Sequence, residues 1–188
     1  MVHYIGANQL PLRDSKVAMF FMIAWTSAAL LFLPAFSVSA NDLGQPQGPV
    51  ILEVTGNIGT SNKGQSAAFD LAMLEKLGLT TVKTSTVWTD GGPRSFEGVL
   101  ARDVMAAVGA KEPRTVVARA LNDYTIEIPV VDFHEYDVIF AMRMDGQLLT
   151  ARDKGPLWVV YPRDDHPELQ DERIDQRWAW QLKALEVH

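Results

Sequence analysis

Residues 120–162 read ALNDYTIEIPVVDFHEYDVIFAMRMDGQLLTARDKGPLWVVYP, and the reading of this stretch decides the fold. Two apolar runs, Val138–Met142 and Leu157–Tyr161, bracket a polar region that holds Asp145-Gly146 and Lys154-Gly155-Pro156. A third polar loop, Asn122-Asp123-Tyr124, precedes them. Apolar runs of this length become buried strands in a β-rich core, which forces the polar loops to gather at strand ends. Three polar loops beside one sheet make a binding rim.

Outward from there, Asp137–Met144 and Gln147–Leu149 flank Asp145-Gly146, a strong two-residue hairpin signal. Arg114–Leu121 and Thr125–Val131 read as strands on either side of the Asn-Asp-Tyr turn. Upstream, Val50–Gly56 suits a first strand and Ile58–Gln65 a loop. Ser66–Leu77 reads as a helix, with Ser66 as cap, Phe69, Leu74 and Leu77 on the buried side and Gly78 ending it. The β-branched run Thr80–Thr89 predicts a strand, and Asp90-Gly91-Gly92-Pro93 a turn. Leu100, Val104 and Val108, four apart, predict a second helix over Glu97–Val108 that Gly109 terminates. Downstream, Arg163–Gln176 is charged and irregular, with a short helix near Leu169–Ile174. In Arg177–Val187, alternation places Trp178, Trp180, Leu182 and Ala184 on one face of a final strand. The fold class is a β-rich mixed α/β single domain with two main helices.

At 188 residues, with 47% hydrophobic and 21% charged residues, the chain can bury a sizeable core. Its net charge is −6. Of its 17 basic and 23 acidic residues, Arg13, Lys16 and Asp14 lie in the first forty, so the remainder carries 15 against 22, or −7. A polyanion needs a positive face, so no nucleic acid is expected as a partner. Arg13 and Lys16 precede the apolar run VAMFFMIAWTSAALLFLPAF, and Val38-Ser39-Ala40 supplies small residues for a cut after Ala40. Residues 1–40 are therefore expected to be a signal peptide, with periplasmic location, and a retained membrane anchor is the competing reading. Residues 41–49, rich in Gly, Pro, Gln and Asn, read as a linker, and residues 50–188 as the domain.

The chain has no cysteine, hence no disulfide, thiolate ligand or thiol nucleophile. It lacks the glycine and histidine signatures of common hydrolases, nucleotide binders and zinc enzymes. His134, His166 and His188 fall in separate segments without zinc-site spacing. No catalytic residue and no metal ligand is assigned. Aromatic residues carry more information: Trp88 ends a strand, Phe96 follows a Gly-Pro turn, and Tyr124 lies in a loop. A flat heteroaromatic ligand is held between such rings while Asn, Asp or Arg reads its edge. Trp158 and Trp180 are read as core aromatics, whereas Trp88 and Tyr124, beside polar turns, fit packing or binding equally. Lys154, Arg152 and Arg177 could receive an anion or sit solvated on a rim. Asp123 could pair with an amino-pyrimidinone edge or cap its own turn, and Asn122 has the same two readings. The acidic segment 163–173 is read as a solvated surface.

GPLWVVYP after the hairpin, the DVIFAM strand, the N-D-Y turn and the closing RWAWQL together resemble the sulfite-oxidase-type molybdopterin-binding domain over roughly Val50–Val187. FEGVLARDVMAAVGA is similar to that family's helix after its cysteine loop. The resemblance implies a molybdenum-ligating cysteine around Thr84–Phe96, where this chain has none. A family arginine falls on Trp158, and the family's Ser-Ile-Lys signature falls near Gln176-Arg177-Trp178. A pocket that keeps pterin contacts while dropping metal and phosphate contacts is most similar to the small periplasmic pterin-binding proteins of the PruR type. That resemblance implies a non-catalytic sensor of reduced pterin, with no tightly bound cofactor. It also implies as partner the periplasmic domain of a membrane-bound cyclic di-GMP enzyme. A molybdopterin-dependent oxidoreductase, with molybdopterin as cofactor, and an adaptor with an empty pocket are the alternatives. The site residues it implies are Trp88, Phe96, Asn122, Asp123, Tyr124, Lys154, Arg177 and Trp178.

Overall fold

The computed structural model describes residues 43–188, so the expected signal peptide and its cut after Ala40 lie outside the described residues. In chain order the elements are β1 (Val50–Gly56), β2 (Ala67–Asp70), α1 (Leu71–Lys76), β3 (Thr80–Thr84), β4 (Arg94–Leu100), α2 (Ala101–Ala107), β5 (Thr115–Ala120), β6 (Thr125–Pro129), α3 (Val131–Glu135), β7 (Ile139–Met144), β8 (Gln147–Leu148), β9 (Trp158–Val160), α4 (Glu172–Asp175) and β10 (Leu182–Val187). A short 3-10 turn over Pro167–Leu169 precedes α4. One five-stranded sheet runs β2-β1-β10-β5-β6. The other runs β3-β4-β7-β8, with β9 also paired to β7. β1 and β10 are parallel neighbours, Glu53 opposite Ala184 and Thr55 opposite Glu186, so the two ends of the domain meet inside one sheet.

The expected strands over 50–56, 114–121 and 137–149 form nearly as read, and so does the hairpin. Asp145 and Gly146 both take positive φ, 50° and 76°, which the turn between β7 and β8 requires. β7 is buried on every residue from Ile139 to Met142, as a strand covered on both faces must be.

Two expected helices shorten because their first residues are strands. Ala67–Asp70 pairs antiparallel with β1, and all four residues are buried. The Asn62 side chain holds this strand from outside, accepting from Ala68 N at 2.7 Å and donating to its carbonyl at 2.9 Å. The cap of α1 is therefore Asp70, not Ser66: its carboxylate accepts from Met73 N at 2.9 Å. Gly78, at φ +112°, closes the helix as expected. Likewise 94–100 is strand β4, and only Ala101–Ala107 is helical. A Cβ on Gly98 would lie 2.2 Å from the Phe140 carbonyl oxygen, so this glycine permits the close approach of β4 and β7.

Two further corrections follow downstream. Val131, expected in a strand, starts α3, which packs beside α2 and β6. The final strand begins only at Leu182: Trp178 and Trp180 precede it in a connection, so they do not share a strand face with Leu182 and Ala184. That shift creates the cleft described next.

Candidate functional site: an aromatic cleft beside the last strand

A cleft of about 210 Å³ is lined by Trp88, Ala120, Asn122, Tyr124, Asp175, Gln176, Trp178, Ala179 and Trp180. Three segments build it: the β3–β4 connection, the β5–β6 turn and the connection from α4 to β10.

Trp88 owes its position to threonine chemistry. The Thr86 hydroxyl accepts from Trp88 N at 2.9 Å and lies 3.3 Å from the Thr89 hydroxyl, folding residues 86–89 into a tight turn. The base of this connection is clamped by Asp164, whose carboxylate accepts from Ser85 N at 2.7 Å and from the Ser85 hydroxyl. Asp164 N in turn donates to the Thr84 hydroxyl at 3.2 Å. Trp88 thus stands 42% exposed against Trp180, their rings perpendicular with centroids 5.0 Å apart. The Lys154 ammonium lies 4.3 Å from the Trp180 centroid and 5.3 Å from that of Trp158, a cation–π pair.

On the opposite side Asn122 Oδ1 accepts from Tyr124 N at 3.1 Å, an Asx turn that presents the Tyr124 ring. The Tyr124 hydroxyl donates to the Gln176 carbonyl at 3.2 Å, joining that turn to the end of α4. Trp178 is 3% exposed and touches Trp158 and Tyr161 edge-on or tilted. Its carbonyl accepts from Trp158 Nε1 at 3.2 Å, but its own Nε1 is buried without a partner among the described residues. A buried N–H left unpaired costs about 1–3 kcal/mol.

Of the eight residues expected from the sequence, the structure brings Trp88, Asn122, Tyr124 and Trp178 onto this cleft, with Lys154 over its Trp180 wall. The other three lie elsewhere. Phe96 is fully buried in the core, perpendicular to Trp158 at 5.3 Å. Asp123, at φ 63°, turns outward and pairs with Lys183 at 2.8 Å, its side chain 76% exposed. Arg177 points to α3, where it donates to Asp132 at 2.6 Å. Asp132 also accepts from the Tyr161 hydroxyl at 2.8 Å, and burial first, then this carboxylate, holds the Tyr161 phenol well above its ordinary pKa. A buried carboxylate needs such partners, which is why the arginine turns inward. Sequence reading misses Trp180, read as core, and Asp175 and Gln176, at the end of the stretch read as charged and irregular. The Trp-Ala-Trp spacing is a signal for Trp180, since a strand reading sets it on the same face as Trp178, which the resemblance places in the site.

Residues 73–164, just under half of the chain, match the family described as the oxidoreductase molybdopterin binding domain. The sulfane dehydrogenase SoxCD from Paracoccus pantotrophus has a similar structure, with a TM-score of 0.54 at 16% identity over 73% of this chain. The fold is that of the sulfite-oxidase-type molybdopterin-binding domain. This chain spans 37% of the length of that SoxCD chain. No curated protein sequence matches it.

The residues present fit one part of a molybdopterin and not the rest. The aromatic cleft suits a flat pterin ring. The metal end finds no thiol anywhere in the chain, and the described residues hold no group of three His, Cys, Asp or Glu able to bind a metal. For the phosphate end, Arg177 is committed to Asp132, and no arginine or lysine is among the residues that line the cleft. Trp158, on the position that the resemblance gives to a family arginine, is a fully buried core indole. What this molybdopterin-binding fold offers here is a ring site with hydrogen-bonding groups at its edge.

Proposed function

We propose that this chain binds a free, reduced pterin in the cleft between Trp88, Tyr124, Trp178 and Trp180, and performs no chemistry on it. The convergence of these four aromatic side chains on one cleft, in a fold whose family binds a pterin-type cofactor, carries the reading. Perpendicular Trp88 and Trp180 make a corner, and Tyr124 and Trp178 add apolar walls that exclude water from a stacked ring. Asn122 Nδ2 and the Gln176 side chain supply polar groups at the edge.

The finer reading is a ligand sensor. Export by the leader would place it in the periplasm, and the pterin-bound form would act on the periplasmic domain of a membrane-bound cyclic di-GMP enzyme. Such a relay requires the partner to distinguish bound from free protein. Its support is the resemblance alone, and its test is a pull-down whose yield changes with added pterin.

Binding itself is tested by anaerobic calorimetry and tryptophan fluorescence with a tetrahydropterin. Micromolar or tighter affinity is expected, lost in Trp88→Ala and in Asn122→Ala. No saturable heat or quenching would overturn the reading. Near-stoichiometric molybdenum in the purified protein would replace it with a molybdopterin enzyme, and ligand-independent partner capture without heat with an adaptor.

A further inference from the structure

Asp175 is the cleft residue whose chemistry remains without a use. It ends α4, a single turn that Asp171 caps by accepting from Arg173 N at 2.8 Å. Its side chain is 13% exposed, and Oδ1 accepts from Arg163 Nε at 3.1 Å. Oδ2 accepts from nothing among the described residues. A carboxylate has about four acceptor positions, so Arg163 compensates the buried charge and orients its plane while leaving most of them open. Close by in the chain, Trp178 buries an Nε1–H that has no acceptor. Asp175 therefore brings under-used acceptor positions to the cleft, while the Trp178 donor is sealed inside its wall.

We propose that Asp175 reads the donor side of a 2-amino-4-oxo edge and is the specificity-determining residue of the cleft. The inference rests on the pterin reading above. Such an edge presents an exocyclic amino group and a ring N–H side by side, followed by a carbonyl. Asp175 accepts from the two donors. Asp123, the carboxylate that the sequence suggested for this task, is spent on Lys183 and faces solvent. The preference for a pterin over other flat rings is then placed on one carboxylate. A 2,4-dioxo ring of the same shape sets a carbonyl against the carboxylate and is discriminated against, because a site built to bond a donor rejects the isostere that lacks it.

The test compares tetrahydropterin (2-amino-4-oxo) with tetrahydrolumazine (2,4-dioxo) by anaerobic calorimetry on the purified protein and on Asp175→Asn. Asparagine keeps an oxygen for Arg163 and replaces the open oxygen with a donor. The unsubstituted protein is expected to bind tetrahydropterin at least tenfold more tightly than tetrahydrolumazine, and Asp175→Asn to bind the two within about threefold of each other. Equal binding of both rings by the unsubstituted protein overturns the inference while leaving the pterin cleft standing, and this comparison needs no variant to fold. A preserved preference in Asp175→Asn also overturns it. Binding of neither ring removes the pterin reading itself, and this inference with it.

Discussion

Trp178 is a core side chain that carries an unpaired donor. Its ring packs against Trp158 and Tyr161 in the core, while its Nε1–H stays unpaired. Trp178→Phe removes that donor but keeps an aromatic ring. The relief of an unsatisfied N–H, about 1–3 kcal/mol, offsets the packing lost with the smaller ring. Urea unfolding of the free protein is therefore expected to change by no more than about 1 kcal/mol, while pterin affinity stays within about threefold. A loss of several kcal/mol would show that the packing of the indole outweighs its unpaired N–H. At this scale the sequence was half legible. Residues beside polar turns, Trp88, Asn122 and Tyr124, reach the cleft as their loops suggested. Arg177 and Asp123 did not, because their directions depend on Asp132 and Lys183, which are distant in sequence and meet them only in the fold.

At the scale of elements, strands with an unambiguous pattern were legible and mixed ones were not. Val138–Met142 has no helical alternative that its hairpin would permit. Ala67–Asp70 and Arg94–Leu100, by contrast, run directly into helices, and their residues satisfy a helical stripe as well as a buried strand. Pairing with β1 and β7 decides, and no window of sequence contains it. The β3–β4 connection carries Trp88 and is held by the Asp164 clamp on Ser85 and Thr84. Asp164 is exposed, so its removal should leave the core intact. Asp164→Ala is expected to shift global stability by less than about 1 kcal/mol, since surface changes are usually small. Pterin affinity should fall severalfold as Trp88 loses its fixed position. Thermal unfolding and fluorescence titration on one preparation separate the two effects, and equal affinity in both proteins would show that the clamp does not position Trp88.

For the whole domain, acid sensitivity follows from where its depressed carboxylates sit. Asp70 joins the 43–49 segment to β2 and α1: its pKa is lowered first by the Gly48 N–H and next by the Met73 N–H, with the Gln47 N–H also bonded. Glu53 is lowered mainly by the Ser66 hydroxyl at 2.6 Å, which fastens β1 to the start of β2. Asp145 is lowered first by the Ser95 N–H and then by Arg94, tying the β7–β8 turn to β4. Asp171, at the cap of α4, is lowered to about 2 by Arg173. All four lie below their ordinary values of 3.8 for aspartate and 4.5 for glutamate. A depressed folded pKa means that the unfolded chain binds the proton more readily, so the stability each group contributes is complete above its unfolded pKa. It is lost as pH falls through the folded value, which sets the window from about pH 4.5 down to about 2. Exposed pairs such as Asp171–Arg173 contribute little, so buried Asp70 should dominate. Asp70→Asn can accept with one oxygen where the carboxylate used two, and is expected to cost about 2 kcal/mol at neutral pH. Its unfolding midpoint should then fall less steeply than that of the unsubstituted protein below pH 4.5. Parallel midpoint curves for the two proteins in a pH series of urea or thermal melts would place the acid-labile joint elsewhere, at Glu53 or Asp145.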